Sequence, residues 1–445
     1  MALSGLAIYK HLPKTNCKDC GFPTCLAFAM QLAAKKVALD KCPHVSEEAK
    51  KTLEGASRPP IRLVTVGVGD NKLELGNETV MFRHEERFHH PAGIGVLVED
   101  TLDDAALKKK INDINKLKFE RVGAEISIDL VAVKNSSGDT AKFTNAVKAV
   151  LAKTKLNLVL ISEKPESLAE AAKISKDRKP LLYCATKDNY EQVAKTAKEN
   201  NLPLAVCAGS LEEVADLTQK VQALGVEDLI FDTGPKSVVK KIEDLTYARR
   251  MALKKTFRPL GYPAITFTQS RDPHDEICEA AGYVAKYSGI VVIKGTEPWQ
   301  LLPLLTTRSD IYTDPQKPVQ VEPRVYEIGA VSKESPVLVT TNFSITYYTV
   351  AGEVEASKVP SFIISCDAEG MSVLTAWAAE KFTAETITKT LQTSGITDKV
   401  SHKNVIIPGY VAVLSGKLEE DSSWKVLVGP REASGIPSYL RSLPA

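Results

Sequence analysis

The sequence predicts a multidomain α/β protein: a small N-terminal cysteine domain, a central (β/α)8 TIM barrel and a C-terminal Rossmann-like domain. Three observations carry that reading. Four of the eight cysteines fall within the first 42 of 445 residues. From Gly93 onward, apolar β-type runs alternate with segments of helical period. After a proline-rich break, SDIYTDPQKPVQVEP, a second α/β pattern begins. A chain of this length is expected to divide into two or three domains.

The four early cysteines, Cys17, Cys20, Cys25 and Cys42, are spaced C-x2-C-x4-C-x16-C. Structural zinc sites usually present two short cysteine pairs. Here three thiols cluster, the fourth is remote, and Pro43 follows it. That pattern favours an iron–sulfur cluster over zinc, and 4Fe-4S in particular. The stretch between Cys25 and Cys42, LAFAMQLAAKKVALDK, has helical periodicity. As a helix it would span roughly 24 Å at 1.5 Å per residue, so a turn has to return Cys42 to the others. The remaining cysteines, Cys184, Cys207, Cys278 and Cys366, lie among apolar neighbours and are expected to be small buried residues.

Composition is ordinary for a globular protein, at 44% apolar, 25% charged and net charge +2. Such a balance argues against general nucleic-acid binding. No signal peptide or membrane-length apolar run is visible, which predicts a cytoplasmic protein.

The segment KKTLEGASRPP reads as a linker closing a cluster domain at 1–57. Two β-like runs follow, IRLVTVGV and ETVMFRHEERF, as a β extension of the barrel domain, 58–312. The second ends in His89-His90-Pro91, a pair without a third metal ligand near it in sequence. The barrel strands are expected at GIGVLVED, SIDLVAVKN, NLVLISE, PLLYCAT, PLAVCAGS, DLIFDTG, PAITFTQ and GIVVIKG. Continuous β-branched runs separated by amphipathic helices mean a buried parallel sheet, and eight of them suggest closure. Glu99, Asp100, Lys134, Glu163, Asp232, Gln269 and Lys294 would line its mouth. They form no phosphate loop, metalloprotease motif or triad, so the barrel reads as a scaffold.

After a linker at 313–325, the domain 326–445 shows four short strands with helices between them. The strand ends read Thr340-Thr341-Asn342-Phe343-Ser344, Asp367 to Val373, Pro408-Gly409-Tyr410, and Gly429 to Gly435. They are small and hydroxyl-rich, and no G-x-G-x-x-G occurs. Gly370, at the opening of a helix, is expected to allow close backbone approach and to leave N–H donors free. Thr340, Thr346 and Ser372 would add hydroxyls. A large planar ligand with amide side chains suits that surface.

N-C-K-D-C-G-F-P-T-C with a distant Cys-Pro, the eight-unit barrel and the Rossmann-like end together resemble the large-subunit family of corrinoid iron–sulfur proteins, over essentially the whole chain. The resemblance implies a methyl carrier of the acetyl-CoA (Wood–Ljungdahl) pathway. It implies that Cys17, Cys20, Cys25 and Cys42 hold a 4Fe-4S cluster. It implies corrinoid contacts at Thr340, Thr346, Gly370, Met371, Ser372, Val373 and Ala433. It further implies a heterodimer with a smaller barrel subunit, a methyltetrahydrofolate methyltransferase that charges cobalt(I), and acetyl-CoA synthase as methyl acceptor. The cluster, fed by a low-potential donor such as ferredoxin, would return stray cobalt(II) to cobalt(I). No convincing axial histidine is present. Asp272-Pro-His274 lacks the glycine of the D-x-H-x-x-G pattern, with Ile277 in its place, and His402 stands in polar SHKN. The corrinoid is therefore expected base-off. The rival reading is an iron–sulfur electron-transfer or docking subunit without corrinoid.

Overall fold

The computed structural model describes residues 5–33, 37, 39–46, 49, 53 and 59–443. The linker expected around residues 50–60 lies almost wholly outside them. The chain divides into two compact units, Met1–Phe119 with Ile126–Tyr312, and Glu120–Glu125 with Thr313–Ala445.

In the first unit a closed eight-stranded parallel barrel is built from Gly93–Glu99, Leu130–Lys134, Asn157–Ile161, Leu181–Ala185, Leu204–Cys207, Leu229–Asp232, Ala264–Phe267 and Ser288–Ile293. Each strand pairs with its sequence neighbours, and Ser288–Ile293 closes onto Gly93–Glu99. Strand side chains alternate between two cores. Leu130, Ala132, Val159, Leu181, Ala205, Ile230, Ile265 and Ile290 fill the interior. Val131, Val133, Leu158, Leu160, Leu182 and Leu204 meet the surrounding helices. Burial on both faces explains why the strands read as unbroken apolar runs.

A short antiparallel pair, Val64–Val66 with Leu73–Leu75, precedes the barrel. Val64, Val66 and Leu75 join the interior core. Arg62 N–H donates to Gly261 O and Asn157 Nδ2 donates to Asn71 O, so the pair plugs the end where the strands begin. The expected strand ETVMFRHEERF is instead a loop. Side chains from the barrel hold it there: Arg249 donates to Val80 O and Tyr287 to Met81 O. The N–H groups of His89 and His90 both donate to Glu78 Oε1 at 2.9 Å. The paired histidines thus belong to a turn seated on a buried carboxylate.

Polar groups at the opposite end hold their own loops. Asp100 accepts from the N–H groups of Ser136 and Ser137, Glu279 from those of Gln269 and Ser270, and Glu276 from that of Lys294. Asp232 pairs with Lys241 Nζ at 2.7 Å, both side chains 4% exposed. Lys241→Met would leave Asp232 buried without its cation, at a cost of about 3–5 kcal/mol. A drop of that size in chemical unfolding is the expected outcome, and an unchanged midpoint would contradict it.

The second unit carries a five-stranded sheet ordered Val325–Ile328, Ser361–Cys366, Val337–Thr341, Asn404–Ile407, Lys425–Val428. The last four are mutually parallel, and Val325–Ile328 is an antiparallel edge beyond the four strands expected. Chain order along the parallel strands is 2-1-3-4, so the topological switch falls between Val337–Thr341 and Asn404–Ile407. Ligands of open α/β sheets bind outside the strand carboxyl ends at such a point.

Candidate functional site

Two sites are built by these elements. The first lies in the N-terminal segment. The loop before the Cys25–Ala33 helix takes left-handed backbone at Lys14, Asn16, Lys18 and Gly21. Alternation of this kind turns successive N–H groups toward one concavity suited to anions. Asn16 Oδ1 accepts from Cys25 N–H at 2.8 Å and fixes the loop to the helix start. Helix is described as far as Ala33, and a 3-10 turn at Leu39–Lys41 delivers Cys42, whose N–H donates to Leu39 O. Burial pushes the Cys42 thiol up, and the nearby Cys20, Cys25 and Cys17 add to the shift. Cys25 and Cys42 are buried, Cys20 is half-buried and Cys17 is exposed. The donor set, four thiols of which three lie near the Cys42 sulfur, fits a cluster held by thiolates. Beside it, His44 Nε2 and Asp19 Oδ2 are 2.6 Å apart. Among the described residues, Cys17, Asp19 and His44 are the one group of three that could hold a single metal ion, so His89 and His90 form no such site.

The second site is the carboxyl edge of the C-terminal sheet. Asn342, fully buried, organises it. Its Oδ1 accepts from the N–H groups of Ala368 and Gly370 at 2.9 and 3.0 Å. Its Nδ2 donates to Gln320 Oε1 and Asp367 Oδ1 at 3.1 and 3.2 Å. The stretch 319–321, expected as linker, is laid along this edge: Val321 N–H donates to Asn342 O and Ser344 N–H to Val319 O.

Gly370 differs from expectation in three ways. The helix begins at Val373, with Ser372 as its N-cap. Gly370 sits ahead of it with φ +72°, which disfavours any side chain. Its N–H is taken by Asn342, and those of Glu369 and Met371 are taken within the turn. The space beside it belongs to the protein too, since a Cβ there would lie 2.6 Å from Gln320 Cγ and 2.9 Å from Pro318 Cβ. The glycine is needed because the 318–320 segment crosses over it.

Of the other residues expected at this edge, Met371, Ser372 and Val373 are half-buried around the start of the short Val373–Ala378 helix. Ser372 Oγ bonds Thr375 Oγ1 at 3.0 Å. Thr346 and Ala433 are half-buried beside the packed Ser344–Ser357 helix and the Ala433–Gly435 turn. Thr340 is 1% exposed, and its Oγ1, like those of Thr341 and of Ser365, is buried without a partner. Buried hydroxyls without partners are uncommon and single these strand ends out.

Around them stands a rim that the sequence reading missed. Val319, Ile345, Leu374, Tyr410 and Val413 are exposed large apolar side chains next to the strand ends. Tyr410 OH donates to Glu432 Oε1 at 2.5 Å, which holds its ring. Gly409 permits the loops after the last two strands to cross, since a Cβ there would lie 2.6 Å from Gly429 O. A run of exposed apolar groups at the carboxyl edge of an open sheet suits a contact surface. Neither His274 nor His402 belongs to the elements that form this edge. His274, in the barrel unit, has a side chain 79% exposed. His402 precedes the Asn404–Ile407 strand, at the opposite end of the sheet, with Nε2 3.0 Å from Ser335 O and Nδ1 accepting from Asn404 N–H.

Whole-chain comparison decides the family. The sequence is 50% identical over 442 residues to the corrinoid/iron–sulfur protein large subunit of Moorella thermoacetica, covering 99% of both chains. This chain belongs to the corrinoid/iron–sulfur protein large-subunit family. Gamma subunits of the acetyl-CoA decarbonylase/synthase complex are more distant relatives. That of Methanothermobacter thermautotrophicus is 35% identical over 458 residues, covering 100% of this chain and 99% of the other. That of Methanopyrus kandleri is 35% identical over 452 residues, covering 98% and 97%. The family model for the CO dehydrogenase/acetyl-CoA synthase delta subunit matches 63–440, the barrel and C-terminal sheet, and an Fe-S cluster model matches 12–44. The cysteine segment therefore stands outside the part shared with the delta-subunit model.

Two expectations about cysteines need correction. Cys278 is exposed rather than buried, and Cys207 is half-buried. Only Cys184 and Cys366 behave as interior residues, with burial pushing the Cys366 thiol up to about 12.

No helix among the described residues is long and apolar enough to cross a membrane.

Proposed function

We propose that this protein is the large subunit of a methyl carrier in the acetyl-CoA pathway, with a base-off corrinoid on the C-terminal edge and a 4Fe-4S cluster on Cys17, Cys20, Cys25 and Cys42. When bound, the corrinoid supplies a cobalt centre that takes a methyl group from methyltetrahydrofolate by way of a methyltransferase and yields it to acetyl-CoA synthase, while the cluster supplies the electron that restores cobalt(I). The partners are a small barrel subunit, those two enzymes and a low-potential donor such as ferredoxin. The proposed division is 1–57 for the cluster, 58–312 for the barrel and 326–445 for the corrinoid.

The observation that carries this reading is the set of exposed apolar side chains at the switch point, Val319, Ile345, Leu374, Tyr410 and Val413, beside strands whose Thr340, Thr341 and Ser365 hydroxyls are buried without partners. An apolar rim suits the faces of a macrocycle, and the hydroxyls suit its amide periphery. Thr346, the Met371 to Val373 turn and Ala433 border the same edge. The edge offers no imidazole, which supports base-off binding. Without an axial nitrogen the reduced, four-coordinate cobalt is easier to reach for a cluster, whose potentials extend to about −700 mV.

A visible spectrum of the anaerobic protein with its small subunit tests the reading: sharp corrinoid bands that change on reduction and methylation are expected. A broad brown absorption alone would favour the electron-transfer subunit. Axial ligation has its own check. The electron paramagnetic resonance of the cobalt(II) state should lack nitrogen superhyperfine splitting and be unchanged in His402→Ala. Splitting that disappears in His402→Ala or His274→Ala would overturn base-off binding.

A further inference from the structure

The mouth of the barrel contains two thiols that neither site uses. Cys184 lies in Leu181–Ala185 and Cys207 ends Leu204–Cys207, and these strands are paired in parallel. The ladder slips between Tyr183 and Ala185. An irregularity of this kind lets consecutive residues share a face, and Tyr183 and Cys184 both pack with the interior core, as does Cys207. The two thiols stand on neighbouring paired strands within one core, near enough for each to perturb the other. Tyr183 OH lies 3.6 Å from Cys207 Sγ and 2.8 Å from Asp232 Oδ2. Lys241, paired with Asp232, supplies positive charge behind them. Cys184 is 8% exposed and Cys207 is the more open of the two.

We propose that Cys184 and Cys207 form a reactive dithiol that closes to an intramolecular disulfide on meeting a low-molecular-weight disulfide, with Cys207 attacking and Cys184 resolving. Reactivity follows thiolate character and access. The neighbouring Cys184 thiol holds the Cys207 thiol below its ordinary range, aided by Tyr183 and Lys241 against burial and Asp232. The same nearness, with burial, holds Cys184 well above its range. Cys207, the more open thiol and the one beside Tyr183 OH, is the better placed to attack, and Cys184 lies more deeply buried on the neighbouring strand.

The exchange runs in two steps. Cys207 thiolate attacks one sulfur of R–S–S–R; a Cys207–S–S–R bond forms and R–S⁻ leaves. Cys184 gives its proton to solvent and attacks the Cys207 sulfur; the Cys184–Cys207 bond forms and the second R–S⁻ leaves. Two electrons pass from the protein dithiol to the reagent. The two protons lost by the cysteines balance those taken up as the reagent becomes two thiols. The site is independent of the corrinoid reading and would exist in a protein that bound none.

The test uses the full chain with its cluster, prepared without oxygen and treated briefly with a nitrobenzoate disulfide that releases a coloured thiol. Peptide mapping reads each cysteine, and exposed Cys278 serves as the internal reference. The expected result is a linked Cys184–Cys207 peptide pair, with Cys207 consumed faster than Cys278. Cys184→Ser should stop at a stable mixed disulfide on Cys207, halving the coloured thiol released by the pair. Cys207→Ser should leave Cys184 unmodified. A mixed disulfide that persists on Cys207 in the unsubstituted protein overturns the proposal, as does slower reaction at Cys207 than at Cys278. The unsubstituted protein alone decides this should a serine variant fail to fold.

Discussion

Cys20→Ala is expected to reduce bound iron and sulfide to background while leaving cobalt per protein unchanged. Cys20 is half-buried, so its truncation opens little of the local core. That core is small: Ile8, Leu12, Phe28, Ala29, Val45, Ala49 and Leu53 are joined in it by two of the ligand candidates, Cys25 and Cys42. So few apolar groups give limited stability, and domains of this size usually rely on a metal or a covalent link. Cluster binding there is then part of folding. Limited proteolysis should cut the cluster-free segment ahead of the barrel, whose own core does not include these residues. Cys25→Ala should behave more severely, since it also removes a buried side chain from that core, although the backbone N–H that Asn16 holds remains. Full iron content in Cys20→Ala would mean that the ligand set is wrong. Lost iron with an uncut N-terminal segment would mean that the small core stands without the cluster.

The barrel was legible because its strands are buried on both faces and carry their signal in unbroken runs such as GIGVLVE and NLVLI. Val325–Ile328 escaped notice because it is a partly exposed edge strand, defined by antiparallel pairing to Ser361–Cys366. ETVMFRHEERF has strand composition, but Arg249 and Tyr287, more than 160 residues away in sequence, hold it as a loop. Distant pairing likewise hid the nearness of Cys184 and Cys207, which lie on two parallel strands brought side by side in the barrel. Turn composition singled out Gly370, but its N–H is taken by Asn342 and the helix starts three residues later. Its neighbours in space, Pro318 and Gln320, come from a stretch that reads as a tether. The four cysteines were readable because they fall in one short segment, the part matched by an Fe-S cluster model, where spacing alone marks them.

Asn342→Ala is expected to release the corrinoid while the cluster and the barrel remain intact. The side chain is 0% exposed and makes four hydrogen bonds. Alanine would leave the Ala368 and Gly370 N–H groups buried without an acceptor, about 1–3 kcal/mol each. The Asp367 to Met371 turn would loosen, and with it the 318–320 segment that Gln320 ties to Asn342. Both border the proposed corrinoid edge, so cobalt per protein should fall severalfold at constant iron. Gly370→Leu attacks the same junction from the other side. It adds left-handed strain of roughly 1–2 kcal/mol and drives a side chain into Gln320 and Pro318, so its cobalt loss should be at least as large. Thr340→Val is the contrasting case. The valine matches its shape, and the hydroxyl it removes has no protein partner. Folding stability should therefore stay level or rise. Cobalt affinity should weaken by about 1 kcal/mol if that hydroxyl meets the cofactor. The measurements are cobalt and iron on one anaerobic sample, with thermal unfolding of the same variants. Full cobalt in both Asn342→Ala and Gly370→Leu would place the corrinoid away from this turn and remove the C-terminal edge as its seat.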